Sequence, residues 1–270
     1  MLIGAFTESE IAELTAEWRT IPWRLIPEQP LAPALNVALD EVLTDRIGRG
    51  DSPPTLRFWR WSAPAVVIGR CQSVANEVDP DGARELGMRI VRRITGGGAM
   101  FVQPHGAITY SLILPERLVE GLTLRQSYEV CDAWAVAGLR GMGIDCFYRP
   151  VNDIACAAGK IAGAAQARRR GVVLHHTTLA YAMEPTEMRR VLRIGREKLK
   201  ERGVASAAKE VAPLNLQTPL SREDVVAGLL DAFQARYGGT LGELDAQELM
   251  EAEALVETKY GAASWTGEFE

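Results

Sequence analysis

The sequence predicts an α+β protein in which a large mixed, mainly antiparallel sheet is flanked by helices. Three observations carry this prediction. Strand-like segments follow one another without a helix after each, and helical segments precede, interrupt and follow them. A strictly alternating order would instead predict a parallel, doubly wound sheet. The length of 270 residues and the 47% hydrophobic content are enough to bury the core of one large domain.

The first half of the chain begins with two helix signals and continues with strands. Thr7-Glu8-Ser9-Glu10 has the form of a capping box, which predicts a short amphipathic helix ending near Trp18. Residues 34–43 place apolar side chains at helical spacing. The predicted strands, which are rich in β-branched and aromatic residues, cover 55–61, 65–68, 88–93, 99–102 and 108–114.

The second half of the chain repeats this mixture of elements. A helix is predicted over 124–142, with Gly143 as its stop signal, and another over 221–237, with Ser221 as its N-cap. A shorter helix covers 185–192. The predicted strands cover 145–148, 153–157, 160–164 and 172–182. The Pro-containing segment 211–219 is the best candidate boundary, which divides the chain into residues 1–210 and a C-terminal helical part, 211–270.

Composition excludes several classes of protein. The net charge of −5 argues against general binding of nucleic acid, which requires a basic surface. No apolar run is long enough to span a membrane, and the N-terminus lacks the pattern of a signal peptide. We therefore expect a cytoplasmic protein. Its cysteines lack CxxC spacing and are read as reduced thiols, without a zinc site or disulfide framework; they are Cys71, Cys131, Cys146 and Cys156.

The most informative segment joins two arginines to three consecutive glycines. Arg92 and Arg93 precede Gly96, Gly97 and Gly98, and strand-like residues stand on either side. Such a run is costly in backbone entropy, so it indicates either a hairpin turn or a place where a ligand lies against bare main chain. Guanidinium groups bind phosphate and carboxylate well, which favours the second interpretation. Both interpretations remain open on this segment alone.

A second cluster lies near the middle of the chain. Asn152 and Asp153 precede Lys160, which begins a run of very small residues ending at Gln166. Small side chains are unusual in a strand and permit close approach to the main chain. A simple hairpin with a solvated Lys160 would also explain the pattern. Two such segments, each with an adjacent cation, favour one shared anion site, although the chain has neither a P-loop nor a GxGxxG motif.

These segments resemble the motifs of a known family. Residues 92–99, Arg-Arg-Ile-Thr-Gly-Gly-Gly-Ala, look like the RRxTGGGA motif of lipoate–protein ligases. Residues 152–154 and 160–166 look like that family's ND(I/L) and K(I/V)xGxAQ motifs. Further matches follow in order between about 34 and 265: the strand pair at 57–72, the His-His stretch at 175–179 with Thr177 in place of glycine, and Lys259-Tyr260 with Trp265. Three linked motifs at the right separations make the resemblance specific.

The resemblance implies the catalytic domain shared by biotin ligases, lipoate ligases and octanoyltransferases. In that fold a large mixed or antiparallel sheet holds an acyl adenylate across its surface. Residues 1–210 would form this acyl-adenylate-binding domain, and residues 211–270 would pack on it. Many ligases of the family carry a further C-terminal domain needed for adenylation. We expect none in this chain, so a separate accessory ligase subunit would supply that function or the protein would work alone.

The activity implied by the resemblance is that of a lipoate–protein ligase. Such an enzyme uses ATP and Mg²⁺ to convert lipoate or octanoate to acyl-AMP, then acylates a lysine of a lipoyl-domain or H-protein-like acceptor. Lys160 would stabilise charge at the acyl–phosphate junction, and Asp153 would be the Mg²⁺ ligand. The other residues implied to bind substrate or adenylate are Arg93, Thr95, Gly96, Gly97, Gly98, Ala99, Asn152, Gly163, Ala164, Ala165, His176 and Thr178, together with Asp153.

A second hypothesis within the family is that the protein is an octanoyltransferase. Related enzymes of that type lack the accessory domain and carry the acyl group from octanoyl-carrier protein on a cysteine. Cys146 lies near the expected position of that nucleophile, although a strand cysteine also packs well as a small hydrophobic residue. Two features favour the ligase. One is Gly98, where cysteine transferases tend to have arginine, and the other is the pair Asn152-Asp153. A non-catalytic acyl-binding protein is a third hypothesis, and it predicts no turnover with any donor.

Overall fold

The computed structural model describes residues 6–269, and its elements largely follow the predicted order. The helices are α1 (Glu8–Leu14), α2 (Pro33–Arg49), α3 (Val74–Glu77), α4 (Pro80–Glu85), α5 (Leu124–Gly141), α6 (Pro185–Val191), α7 (Arg222–Tyr237), α8 (Ala246–Leu255) and α9 (Ala263–Thr266). The strands are β1 (Arg24–Ile26), β2 (Pro30–Leu31), β3 (Thr55–Trp61), β4 (Ala65–Ile68), β5 (Arg89–Arg92), β6 (Met100–Val102), β7 (Ala107–Pro115), β8 (Phe147–Arg149), β9 (Asp153–Cys156), β10 (Gly159–Arg169), β11 (Val172–Ala180) and β12 (Thr240–Leu241).

A nine-stranded mixed sheet forms the centre of the molecule. Its order is β12-β1-β3-β7-β11-β10-β9-β8, with β2 paired to β3. Every pair from β3 to β8 is antiparallel, whereas β1 runs parallel to β12 and β3, and β2 runs parallel to β3. A three-stranded sheet, β5-β4-β6, lies beside it and carries the glycine segment between β5 and β6. The predicted α+β class with a mixed, mainly antiparallel sheet is confirmed.

The two faces of the central sheet are covered by different elements. Helices α5 and α7 cover one face, which we call the α5 face, and its core contains Trp18, Trp23, Trp134 and Phe233. Helix α2 packs against the other face, and the C-terminal helices pack on α2. Because successive side chains of a strand point to opposite faces, neighbours such as His175 and His176 enter different environments.

Several short elements were not predicted from the sequence, and one strand is longer than predicted. Strands β1, β2 and β12 have two or three residues each, too few for a period-two pattern to be read. Helix α1 ends at Leu14, and the predicted helix continues only as a 3₁₀ turn, Ala16–Thr20. Strand β10 continues to Arg169 because it pairs with β11 along residues 162–169.

The C-terminal part, described over residues 211–269, packs closely on the rest of the described chain. Val211 lies in a parallel bridge with Lys160, and Ala212 is buried in the core of the α5 face. Helix α7 packs on α5, and α8 packs on α2. Lys259 and Tyr260 both bind the carboxylate of Glu41 in α2. Within residues 6–269, no helix has both the length and the apolar character needed to cross a bilayer.

Candidate functional site

A cavity of about 320 Å³ lies between the glycine segment, strand β10 and the end of β11. Its walls are mostly apolar, and Lys160 and Arg93 contribute cationic groups. A cavity of this size is at the small end of ligand-binding pockets. The sequence-predicted residues that line it are Arg93, Gly97, Gly98, Ala99, Asn152, Lys160, Gly163, Ala164, Ala165 and Thr178. The two predicted clusters therefore meet at one site, as expected from their composition.

Arg93 holds the glycine segment from inside the protein. Its guanidinium donates hydrogen bonds to the carbonyl oxygens of Gly96, at 2.5 Å, and Gly98, at 2.8 Å. Gly97 between them has a φ of +84°, a conformation that favours glycine. A side chain at Gly69 would also be excluded, because its Cβ would lie 2.1 Å from the carbonyl oxygen of Gly97. Glycine is therefore required here by backbone conformation and by close approach of two chain segments.

The charge of Arg93 has no carboxylate partner among the described residues. Its other donors bind the Thr95 hydroxyl at 2.9 Å and the Val67 carbonyl at 3.0 Å. Burial lowers its pKa to about 10. A buried guanidinium that is bound to carbonyls and a hydroxyl leaves positive charge behind the cavity wall. This charge favours a ligand that carries or develops negative charge.

Arg92, the other arginine of the motif, points away from the cavity. Its guanidinium binds the carbonyl oxygens of Gly69, Gln72 and Trp265, at 3.0, 2.6 and 2.9 Å. The indole of Trp265 in turn donates to the Arg92 carbonyl at 2.9 Å. Alternation along β5 turns Arg92 towards the C-terminal helix α9, and Arg93 towards the glycine segment.

A chain of hydrogen bonds connects α2 to the glycine segment through His176. Asp40 Oδ2 lies 2.8 Å from His176 Nδ1, and His176 Nε2 lies 2.8 Å from Thr95 Oγ1, which also accepts from Arg93. Ser111 donates to the other carboxylate oxygen of Asp40 at 2.7 Å. Burial lowers the pKa of His176 even though Asp40 opposes the shift, so the ring is neutral near pH 7. This chain positions the loop without lining the cavity.

Lys160 lies over Gly163 and pairs with Asp153. A Cβ at Gly163 would lie 2.3 Å from Lys160 Nζ, so the glycine provides the space for the ammonium. Lys160 Nζ is 2.9 Å from Asp153 Oδ1, and Lys209 and Arg149 approach the other oxygen. Burial lowers the pKa of Lys160. The positive charges of Lys209 and Arg149 lower it further, whereas Asp153 opposes the shift. Asp153 itself is buried beneath these cations.

A segment that sequence analysis did not identify covers the cavity. This covering segment, residues 204–211, supplies six lining residues. Ser206 Oγ accepts a hydrogen bond from the Ala99 backbone at 2.8 Å, and the Lys160 backbone donates to the Glu210 carbonyl at 2.8 Å. Its composition, Val-Ala-Ser-Ala-Ala-Lys, repeats the pattern of small residues beside a lysine that identified the Lys160 strand. The same signal was therefore present here.

Four predicted site residues lie behind the cavity wall. Thr95, Gly96 and His176 support the glycine segment through the hydrogen bonds described above. Asp153 holds the lysines. Asn152 does line the cavity, but its side-chain amide donates to the Ala164 carbonyl, and so it also braces β10. The predicted residues thus gather around one cavity, whereas direct contact with that cavity differs among them.

The residues present do not fit the predicted Mg²⁺ site. Magnesium prefers several oxygen ligands in octahedral geometry. Asp153 is a single carboxylate whose two oxygens face Lys160 and Lys209, with Arg149 also within 3.6 Å. No group of three or more His, Cys, Asp or Glu side chains arranged to hold a metal occurs within residues 6–269. The carboxylate serves here to hold two ammonium groups in place.

The structure does not bring Cys146 to the cavity. Its side chain is 1% exposed in the core of the α5 face, and its Sγ is 3.8 Å from the Val136 carbonyl. Lys160 in β10 pairs with Ala155 in β9. Cys146 comes just before β8 and lies in the core of the α5 face, together with Tyr148 and Ile154. Burial raises the pKa of the Cys146 thiol to about 11. A nucleophilic role would require this thiol to leave its packed position.

The arrangement suits reactions at an acyl carbonyl. A mostly apolar cavity can accept a hydrocarbon chain, and the ammonium of Lys160, which also lines the cavity, can stabilise an oxyanion that forms when a carbonyl group is attacked. The side chain of Lys160 is 26% exposed, and charge stabilisation is stronger at such a partly desolvated position than in bulk water.

Comparison with known proteins shows which family this chain is similar to. The family model described as lipoyl protein ligase A/B catalytic domain matches residues 32–234. A protein named octanoyltransferase LipM from Symbiobacterium thermophilum is 34% identical over 272 residues, which cover 90% of this chain and 97% of the relative. A protein of the same name from Moorella thermoacetica is 29% identical with the same coverage of both chains.

Solved structures agree on the fold. A putative lipoate protein ligase from T. acidophilum with bound lipoic acid superposes with a TM-score of 0.76 at 25% identity, covering 91% of this chain and 99% of that one. A bipartite lipoate protein ligase from Thermoplasma acidophilum, described with its E2 lipoyl domain, gives a TM-score of 0.76 at 25% identity, covering 93% and 98%. The predicted ligase-type catalytic fold is confirmed.

The relatives contradict the predicted activity. The prediction of an ATP-dependent lipoate–protein ligase is wrong, because relatives at 26–34% identity over 90% of the chain are named octanoyltransferases. The residues used to favour a ligase have local structural explanations. A Cβ at Gly98 would lie 3.0 Å from Ser206 Oγ, so this glycine makes room for the covering segment. Asn152 braces β10, and Asp153 binds lysines.

Proposed function

This chain belongs to the lipoyl protein ligase A/B catalytic-domain family, and from that premise we propose that it transfers an octanoyl group from a thioester on a carrier protein to a lysine of a lipoyl domain. The observation that carries the proposal is the match, along 90% of the chain, to relatives named octanoyltransferase. The acceptor would be a lipoyl-domain or H-protein-like protein. The bipartite neighbour described with its E2 lipoyl domain supports an acceptor of this kind.

The cavity supports this substrate. Its lining includes Phe101, Ile161, Leu179 and Met188, side chains suited to a saturated eight-carbon chain. With the alkyl chain against these side chains, its carbonyl end would lie near the ammonium of Lys160, which lines the same cavity. Glycine and alanine residues on two sides let the acyl group lie close to the main chain.

Each residue has a distinct role in the proposed reaction. Lys160 stabilises negative charge on the carbonyl oxygen as the acceptor amine attacks. Gly97 and Gly98 form one wall of the cavity, with Arg93 fixing their conformation. Thr178 and Ala165 form the floor from neighbouring strands. The covering segment limits access of water, which would otherwise hydrolyse the thioester.

Intact mass of the acceptor tests the proposal. The full chain is incubated with an apo lipoyl domain and octanoyl-carrier protein in buffer without nucleotide. We expect the acceptor to gain one octanoyl group. In a parallel reaction, free octanoate and ATP replace the carrier thioester, and there we expect no gain.

Two controls define the result. An acceptor whose modified lysine is replaced by arginine should gain no mass, which excludes acylation of other lysines. Omission of the enzyme measures spontaneous aminolysis of the thioester. Mass gain only in the reaction with octanoate and ATP would refute octanoyl transfer from a thioester.

A further inference from the structure

A turn formed by residues 69–72 lies behind the glycine segment. The Gln72 backbone closes this turn with a hydrogen bond to the Gly69 carbonyl at 3.1 Å. The Arg70 backbone donates to the Thr95 carbonyl at 2.8 Å. Gly69 itself lies so close to the glycine segment that it has no room for a side chain. The turn and the glycine segment are therefore packed together.

The covering segment packs on the same turn. At its start, the Val204 backbone donates to the Cys71 carbonyl at 3.0 Å. Gly203, the residue before it, has a φ of +101°, and a Cβ there would lie 2.9 Å from the backbone nitrogen of Ser73. Glycine is required at this position both by its conformation and by the close packing. One turn of the chain thus contacts both the glycine segment and the covering segment.

The side chain of Gln72 joins these two walls of the cavity. It is fully buried, and its Oε1 accepts a hydrogen bond from the Gly69 backbone at 2.9 Å. Its Nε2 donates to the Val204 carbonyl and to Ser206 Oγ, each at 3.2 Å. Both N–H donors and the oxygen of the amide are therefore engaged. Among the described residues, those that line the cavity do not include Gln72, so it can act only through its neighbours.

Ser206, which does line the cavity, is held by two other groups as well as by Gln72. Its Oγ accepts a hydrogen bond from the Ala99 backbone at 2.8 Å and donates to the buried carboxylate of Glu77. Its backbone nitrogen donates to the same carboxylate at 3.2 Å. Because these contacts remain, loss of the Gln72 amide should loosen the covering segment without detaching it.

A loosened covering segment would admit water to an octanoyl thioester. Water attacks the same carbonyl carbon as the acceptor amine does. Its oxygen forms a bond to that carbon, the C–S bond breaks, and the electron pair leaves on sulfur, which takes up a proton. The products are octanoate and a thiol. Exclusion of water from a closed site suppresses such side reactions.

We propose, on the basis of the octanoyl transfer proposed above, that Gln72 is a positioning residue that holds the covering segment against the glycine segment and so keeps water from the octanoyl thioester. Its amide contacts the two walls, and the reacting carbonyl lies beyond them in the cavity. Its contribution therefore appears in how the octanoyl group divides between the acceptor lysine and water.

The test measures transfer and hydrolysis in one reaction. Wild-type enzyme and Gln72→Met are each incubated with octanoyl-carrier protein and apo lipoyl domain, and octanoylated acceptor and free octanoate are quantified after subtraction of a reaction without enzyme. Methionine has a similar length but no N–H to donate. We expect the ratio of hydrolysis to transfer to rise about tenfold, as for a loss of positioning that leaves the catalytic groups in place. A variant that is merely less folded forms less of both products at an unchanged ratio, and that result would overturn the proposal.

Gln166→Met is the matched control. Gln166 is also buried, and its amide binds Ser127 and His175 on the α5 face, each at 2.9 Å. This substitution likewise leaves buried polar groups unpaired and should lower stability. The ratio of hydrolysis to transfer should nevertheless equal that of the wild type. An equal rise in both variants would mean that general loosening of the protein admits water, which contradicts a specific role of Gln72.

Ser206→Ala tests whether Gln72 acts through the covering segment. Ser206 is partly exposed, so this variant should fold even if Gln72→Met does not. It removes the hydroxyl that Gln72 and Ala99 bind, and it should also raise the ratio of hydrolysis to transfer. Because both substitutions weaken one contact, the double variant should exceed the larger single effect by no more than about twofold. An unchanged ratio in Ser206→Ala, or single effects that multiply fully in the double variant, would overturn the proposal.

Failure of the proposed function would give a different result. Wild-type enzyme that forms no octanoylated acceptor from the thioester contradicts octanoyl transfer, and the role of Gln72 falls with it. Wild-type enzyme that forms the octanoylated acceptor, together with an unchanged ratio in Gln72→Met, contradicts only the role of Gln72.

Discussion

His175 and His176 are adjacent in β11, and each binds an aspartate, yet they serve different parts of the molecule. His175 Nε2 lies 2.7 Å from Asp132 Oδ1 on the α5 face, where both residues are fully buried. His176 lies on the opposite face, 2.8 Å from Asp40 and 2.8 Å from the hydroxyl of Thr95 at the glycine segment. The same chemical pair thus contributes to a sealed core on one face and positions a cavity wall on the other.

The hydrogen bonds around His175 explain this difference between the two histidines. Asp132 Oδ1 also accepts hydrogen bonds from Tyr110, at 2.6 Å, and Thr177, at 2.8 Å. The second ring nitrogen of His175 binds Gln166 at 2.9 Å. These partners are all buried, and none of them lines the cavity. A His–Asp pair therefore indicates function only when it connects to a surface where a ligand can bind.

The largest expected effect on activity comes from the face of the central sheet opposite the α5 face, which carries the cavity and which we call the cavity face. Lys160→Met removes the ammonium that meets the oxyanion, and we expect kcat for octanoyl transfer to fall at least a hundredfold. Thermal unfolding should change little, because Lys209 still pairs with Asp153. Steady-state kinetics together with a melting curve check both parts. A variant with full activity would remove Lys160 from the site altogether.

A substitution on the α5 face should lower stability and leave activity unchanged. Asp132→Ala leaves the hydroxyls of Tyr110 and Thr177 and the ring of His175 without their acceptor. Leaving buried polar groups unpaired should lower the free energy of unfolding by about 3 kcal/mol. Urea denaturation measures this loss. The folded fraction should keep its kcat, and a large loss of kcat per folded molecule would mean that the two faces are coupled.

Two threonines provide a matched pair with a smaller effect. Thr95→Val removes the hydroxyl between His176 and Arg93, so the glycine segment should be held less firmly. We expect kcat/KM to fall about tenfold, as for other errors of positioning. Thr177→Val removes one hydroxyl from the α5 face and should leave kcat/KM unchanged. Similar kinetic losses for both would contradict the division between the faces.

The smallest effect concerns the pH dependence of stability. Burial lowers the pKa of His176 in the folded state, so the unfolded chain binds its proton more tightly. Its contribution to stability is complete above the unfolded pKa of about 6.5 and is lost as pH falls below that value. His176→Asn should therefore show a shallower loss of stability between pH 7 and pH 5 in urea titrations. An unchanged slope would show that the ring is not held neutral.

The sequence predicted the sheet and the meeting of two motifs, because these depend on local patterns. Five consecutive strand predictions, from 55–61 to 108–114, each overlap an observed strand. Gly97 was informative since its φ of +84° requires a residue without a side chain. The Lys160 run was informative since Gly163 must make room for that ammonium.

Other features depend on contacts between distant segments, which no local pattern records. Arg92 and Arg93 are chemically identical, and β5 turns one towards Trp265 and the other towards the glycine segment. Gly98 suggested a ligase, whereas its neighbour Ser206 accounts for it. Lys209 was overlooked although its segment resembles the Lys160 strand, because only the fold shows that both lysines reach Asp153.

A structure with a bound substrate analogue tests most directly whether the cavity face is where acyl transfer occurs. The ligand is a stable ketone analogue of the octanoyl thioester, in which carbon replaces sulfur. We predict its carbonyl oxygen within about 3 Å of Lys160 Nζ, a hydrogen-bond distance, with the alkyl chain against Phe101 and Leu179. A carbonyl beside Cys146 on the α5 face would contradict the account.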